Sequence, residues 1–206
     1  MEALQVPEDW PEYRGEALRL GILASGKGSN FTAIVQAISA QKLPAVITGV
    51  VYNNPGAAVS QRAQAAGVKT QLINHRDYPD REAFDAAIVH TLRQWGTEWV
   101  IMAGWMRQAT AVLLEPFGTR ILNIHPSLLP AFPGLQAVER ALQAGVKITG
   151  CTVHRVVLAV DSGPIVAQAA VPVLPADTVA TLHARIQVQE HRLYPQAILW
   201  AAVGNC

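Results

Sequence analysis

Between residues 18 and 125 the chain alternates apolar, β-branched runs with alanine-rich stretches. LRLGILA precedes FTAIVQAISA, AVITGVVY precedes AAVSQRAQAA, VKTQLI precedes DREAFDAAIVHTLRQW, WVIMAGW precedes TAVLLEPF, and RILNIH closes the series. Few folds accommodate that rhythm. A strand followed by a helix and another strand runs parallel to the first, and the near-continuous apolar character of the strands fits a parallel sheet covered on both faces. After an alanine-rich helical stretch at 137–144, the pattern changes to ITGCTVHRVV and PIVAQAAVPV, joined by AVDSG. This predicts an antiparallel hairpin added at the end of the sheet. A last helix is expected from about residue 177 to 200, capped by Asp177 or Thr178 and kinked or broken near Pro195. The fold expected is therefore α/β, a single-domain, open, mostly parallel twisted sheet with flanking helices and a hairpin-like addition.

Length and charge narrow the function. A chain of 206 residues, half of them apolar, can bury one substantial core. With 16 Lys and Arg against 15 Asp and Glu and no basic run, nothing provides an electrostatic footprint for nucleic acid, and small-molecule ligands are expected instead. The longest apolar stretches, such as WVIMAGWM, fall short of the about 18 residues a membrane helix needs. The opening MEALQVPEDWPEYRGEA is acidic and lacks a hydrophobic signal core, so residues 1–17 read as an extension and the cytoplasm is the expected compartment. Cys151 in a strand and Cys206 at the end suggest neither a disulfide framework nor a cysteine metal site, and no metal is expected.

Two glycine-bearing or turn-like segments carry chemistry. In SGKGSN, Lys27 precedes Gly28, so the Walker order is not met. Phe31 stands where a dinucleotide fingerprint needs its third glycine, and Asn53 and Asn54 stand where an acidic ribose ligand would be expected. What remains is a strand, a small loop and a helix opened by Ser29 or Asn30, whose N–H groups suit a single phosphate; an ordinary turn with a capping serine uses the same residue types. In NIHPSLLP, Asn123 and His125 lie two apart at a strand end and so point to one side. Carboxyl ends of strands in an open α/β sheet bind ligands, so this segment and SGKGSN are expected to share a cleft. Asn offers a neutral donor and His a proton near neutral pH, a pair suited to an oxyanion. Asp161, in the VDSGP turn, is the carboxylate placed to partner His125 and favour its charged form. His75 and His90 read as loop and helix-surface residues, and Ser127 lacks the context of a serine nucleophile.

Taken in order, SGKGSN, NIHPSLLP, FPGL, VDSGP and IQVQEHRLYP resemble the phosphoribosylglycinamide formyltransferase family, the folate-dependent enzymes of purine synthesis, over about residues 18 to 200. The resemblance implies a formyltransferase domain over 18–203 and transfer of the formyl group of 10-formyltetrahydrofolate to the amine of glycinamide ribonucleotide. It implies that Asn123, His125 and Asp161 form the catalytic trio, that Gly28, Ser29 and Asn30 hold the phosphate, and that Glu190, with Gln187, lies near the ribose. Arg81 and the segment Met106, Arg107, Gln108 and Ala109, together with Asn123, would line the folate site. Partners would be small-molecule substrates, with no nucleic acid and no membrane, in a monomer or homodimer. The sequence departs from the family at Gln108 and Ala109, where apolar residues are usual, and at Lys27, where a small polar residue or Asn is frequent. A 10-formyltetrahydrofolate hydrolase resembles a two-domain chain with a regulatory module that 17 residues leave no room for. A transfer-RNA formyltransferase would need a further C-terminal domain. A non-enzymatic phosphate-binding protein would have no use for Asn123, His125 and Asp161 together.

Overall fold

The computed structural model describes residues 4–7 and 9–204; Cys206 lies outside the described residues. Among the described residues there are eight strands and six α-helices, largely alternating, and the strands form one sheet in the order β1-β8-β7-β6-β5-β2-β3-β4. Here β1 is Gln5–Val6, β2 Leu18–Ala24, β3 Ala45–Tyr52, β4 Thr70–Leu72, β5 Trp99–Met102, β6 Ile121–His125, β7 Ile148–Arg155 and β8 Ile165–Pro172. The helices are α1 Ser29–Ser39, α2 Val59–Ala65, α3 Arg81–Gln94, α4 Ala111–Phe117, α5 Ala137–Gln143 and α6 Val179–Val203. The chain divides into two compact units, Tyr13–Asn123 and Met1–Glu12 with Ile124–Cys206.

In the Tyr13–Asn123 unit every strand pair is parallel: β2 with β3 and with β5, β3 with β4, and β5 with β6. Because helices cover such a sheet on both faces, its central strands are buried almost throughout; only Arg19 of β2 is exposed and no residue of β5 is. Gly21 and Gly49 lie opposite each other on β2 and β3. A Cβ at Gly49 would meet the Trp95 ring at 2.3 Å and one at Gly21 the Leu92 side chain at 2.6 Å, so the two glycines leave the space into which the end of α3 packs. The register slips by one residue beside them, and the extra residue, Thr48, donates its hydroxyl to the Leu20 carbonyl at 3.0 Å.

In the other unit β7 and β8 form the expected antiparallel hairpin, and β1 adds antiparallel to the outer side of β8. Thr178 caps α6 and closes a capping box with Thr181. The break expected at Pro195 does not occur, and α6 runs on to Val203. Tyr194, Ala197 and Ile198 around it are fully buried, and this packing outweighs the hydrogen bond that proline cannot donate. The end of α6 also holds the chain's opening segment: Gln196 bonds to Gln5 and to the Asp9 carbonyl, and Trp200 Nε1 donates to the same carbonyl at 2.9 Å.

Gly150 is the tightest point of the hairpin, since a Cβ there would lie 1.9 Å from the Ala169 carbonyl oxygen. Backbone cannot yield as a side-chain tip can. Gly150→Ala is expected to lower stability by about 1–3 kcal/mol, read from urea unfolding midpoints at unchanged slope.

Candidate active site

Parallel pairing sets Leu23 of β2 beside Met102 of β5 and Met102 beside Asn123 of β6. The loop SGKGSN, which leaves β2, and Asn123 therefore stand at the same carboxyl end of the sheet. Gly28 occupies the N-cap of α1 with φ 77°, a left-handed conformation, and no side chain caps that helix. Ser29 is thus the first helical residue and not a cap, contrary to the simple-turn alternative. A Cβ at Gly28 would lie 2.7 Å from the Val59 side chain, and the Val59 N–H bonds to the Gly26 carbonyl at 3.1 Å, so the start of α2 supports the loop from behind. Asn30 is buried, Ser29 is half-buried, and Lys27 is exposed.

The segment after β5 is fastened at alternate residues. Gly104 O accepts from Ser25 N at 3.1 Å, Met106 N donates to Ser25 Oγ at 2.9 Å, and Gln108 Oε1 accepts from Arg81 at 3.0 Å. Thr110 gives both its N–H (2.7 Å) and its hydroxyl (2.8 Å) to Asp85. Burial pushes the Asp85 carboxyl above its ordinary range, against the pull of these two bonds. The Met106 side chain, 66% exposed, stands out from this scaffold, Arg107 is half-buried and Ala109 is buried. The polar side chain of Gln108 is thus engaged by Arg81.

His125 ends β6 and is 6% exposed. Its Nδ1 lies 3.2 Å from Asp161 Oδ2 and its Nε2 2.9 Å from the Phe132 carbonyl. Both ring nitrogens face acceptors. Asp161 sits in the turn between β7 and β8 with φ 49°, accepts the Gly134 N–H at 2.8 Å, and has a second imidazole, His154 Nε2, 3.4 Å from Oδ1. His154 Nδ1 in turn faces the Arg155 carbonyl at 3.0 Å. Burial raises the Asp161 carboxyl, but the His154 contact, the Gly134 N–H and the charge of the two imidazoles outweigh it and hold the group below its ordinary range.

The loop after His125 is stitched to the hairpin. Thr152 Oγ1 donates to the Ser127 carbonyl at 2.7 Å and accepts the Leu129 N–H at 3.0 Å, while Gln168 Nε2 reaches the Leu129 carbonyl at 3.0 Å. Ser127 gives its hydroxyl to the Ala131 carbonyl at 2.6 Å. On α6, Gln187 and Glu190 fall three residues apart on one face; Glu190 is 5% exposed and, after burial itself, is the charge that raises the Cys151 thiol. Phe132 and Gly134 lie in the FPGL segment, to which the sequence assigned no role, and His154 was not singled out. A histidine within the apolar run CTVH, seven residues before Asp161, was the available signal for it. Among the described residues no group of three or more His, Cys, Asp or Glu is arranged to hold a metal ion, and no helix is long and apolar enough to cross a membrane.

The sequence matches the family described as "Formyl transferase" over residues 18–198. Phosphoribosylglycinamide formyltransferase of Bacillus subtilis (strain 168) is 42% identical over 180 residues, covering 87% of this chain and 92% of that protein. The human trifunctional purine biosynthetic protein adenosine-3 is 42% identical over 193 residues, 94% of this chain. This chain spans only 14% to 19% of the length of that protein and of four similar trifunctional relatives. The crystal structure of glycinamide ribonucleotide transformylase 1 from Symbiobacterium toebii superposes with a TM-score of 0.88 at 46% identity, over 93% of this chain and 91% of that one.

The lowered Asp161 value has a direction that unfolding can read. A carboxyl depressed on folding adds stability that is fully present above its unfolded value, near 3.8, and is lost as pH falls through the lower folded value. The stability gap between the native chain and Asp161→Asn is expected to narrow as urea unfolding is repeated from pH 5 down to pH 3 and below. A gap independent of pH would refute the assigned environment.

Proposed function

This chain belongs to the formyl transferase family, and we propose that it transfers the formyl group of 10-formyltetrahydrofolate to the amine of glycinamide ribonucleotide, a step of purine synthesis, leaving tetrahydrofolate. The observation that carries this reading is the His125–Asp161 contact at the end of a strand that presents Asn123 two residues earlier. Support comes from relatives of similar length named for that reaction.

The amine of glycinamide ribonucleotide attacks the formyl carbon as a neutral nucleophile. A new C–N bond forms, and negative charge gathers on the former carbonyl oxygen. The Asn123 amide and a His125 N–H donate to that oxygen, an arrangement worth more in a buried site than in water because the donors are already oriented. At rest the Nε2–H of His125 is given to the Phe132 carbonyl, so that bond is exchanged for one to the oxyanion when the donor is bound. Asp161, kept ionised by its surroundings, orients His125 through Nδ1 and balances its charge, while His154 and the Gly134 N–H hold the carboxylate from its other sides. Collapse breaks the bond between the formyl carbon and N10 of the folate. The proton lost by the attacking nitrogen ends on N10.

Gly28, Ser29 and Asn30 hold the phosphate at the uncapped start of α1, where N–H groups and the positive end of the helix dipole face outward. Gln187 and Glu190 serve the ribose. Arg81, Arg107 and the Met106–Ala109 backbone bind the folate.

Asn123→Ala and His125→Ala are each expected to lower kcat by about two to three powers of ten with thermal unfolding unchanged in form, measured as ribonucleotide-dependent release of tetrahydrofolate. Turnover near the native value in either variant overturns the assignment. Gly28→Ala places a Cβ against Val59 at a left-handed position, and it should raise KM for the ribonucleotide more than KM for the folate. Equal increases would move the phosphate elsewhere.

A further inference from the structure

Two fastenings that join SGKGSN to the segment after β5 pass through one residue. Ser25, 7% exposed, donates its N–H to Gly104 and accepts the Met106 N–H on its hydroxyl, while its carbonyl accepts from Asn54 Nδ2 at 2.8 Å. Two of these three bonds are main-chain at Ser25 and survive any side chain. The third, at 2.9 Å, depends on the hydroxyl alone.

Beyond Ser25 the loop passes through two exposed residues before it is held against α2. Gly26 and Lys27 are exposed, and a Cβ at Gly26 would meet nothing within 4 Å. Gly28 is seated on Val59, and the Gly26 carbonyl is tied to the Val59 N–H. Ser25 is the anchor of this loop on the strand side, next to the start of α1. The far end of the other segment is fastened independently, by Asp85 on Thr110 and Arg81 on Gln108. The Ser25 hydroxyl is a direct side-chain link between the phosphate loop and the Met106 main chain.

We propose that Ser25 is a positioning residue that couples the two substrate sites: its hydroxyl sets the Met106 main chain, so that filling the phosphate loop raises the affinity of the Met106–Ala109 segment for the folate. The proposal rests on the functional reading above, which places the ribonucleotide on one segment and the folate on the other. Coupling of this kind is reciprocal, so folate must tighten the ribonucleotide by the same factor.

Calorimetric titration of tetrahydrofolate into the native chain, Ser25→Ala and Ser25→Thr, with and without saturating glycinamide ribonucleotide, tests it. The native chain should bind the folate more tightly when the ribonucleotide is present. Ser25→Ala should cut that enhancement by about fivefold, the weight of one hydrogen bond, with a change of less than about twofold in ribonucleotide affinity measured alone. Ser25→Thr, which keeps the hydroxyl, should restore the enhancement. A merely structural role would lower the melting temperature and leave the enhancement intact, and that result overturns the proposal. So does a native chain that binds both ligands without coupling. A native chain that binds neither ligand overturns the functional reading itself.

Discussion

Parallel pairing levels the carboxyl ends of β2, β5 and β6, and every group assigned to substrate in the Tyr13–Asn123 unit depends on that register. Leu23, Met102 and Asn123 stand side by side, so the loop after β2, the segment after β5 and Asn123 near the end of β6 are delivered to one end of the sheet. The burial of β2 and β5 makes the register costly to shift, since a slip of one residue would exchange core positions along the whole strand. Glycines at 21 and 49 let α3 pack closely, and the same helix carries Asp85 and Arg81 to the segment after β5. Packing and site geometry are therefore one problem here.

In the other unit a single carboxylate organises the surroundings of His125. Asp161 takes two imidazoles and one main-chain N–H on its two oxygens, and its left-handed backbone places it where the hairpin turns back. Gly163 is needed in the same turn because the Arg155 carbonyl lies 1.8 Å from where a Cβ would stand. The strain and close approach of that turn are compensated by the hairpin's ladder, and in return the turn fixes a charge beside His125. Without the carboxylate, the His125 ring would keep its Phe132 bond and lose the partner on its other nitrogen.

Much of this was legible in the sequence, for local reasons. The alternation of apolar runs and alanine-rich stretches specifies parallel strands because both faces must be covered, and AVDSG between two β-branched runs specifies the hairpin. The contact of His125 with Asp161 was legible because a tight turn returns a carboxylate toward the strand end. His154 was not, because its approach to Asp161 depends on an irregularity in the β7–β8 register at Val153/His154 that no residue type announces. Gly28 in place of Ser29 as the cap, and the continuation of α6 through Pro195, were decided by neighbours distant in sequence: Val59 in the first case and the buried surroundings of Tyr194 in the second. The bond on the Ser25 hydroxyl was equally hidden, since its partner is a main-chain N–H some eighty residues away.

The most direct measurement follows the formyl carbon itself. With 10-formyltetrahydrofolate labelled with carbon-13 in the formyl group, glycinamide ribonucleotide and the native chain, carbon NMR should show the label moving to the ribonucleotide amide as tetrahydrofolate accumulates in equal amount. Label appearing as free formate, at a rate indifferent to the ribonucleotide, would contradict the account.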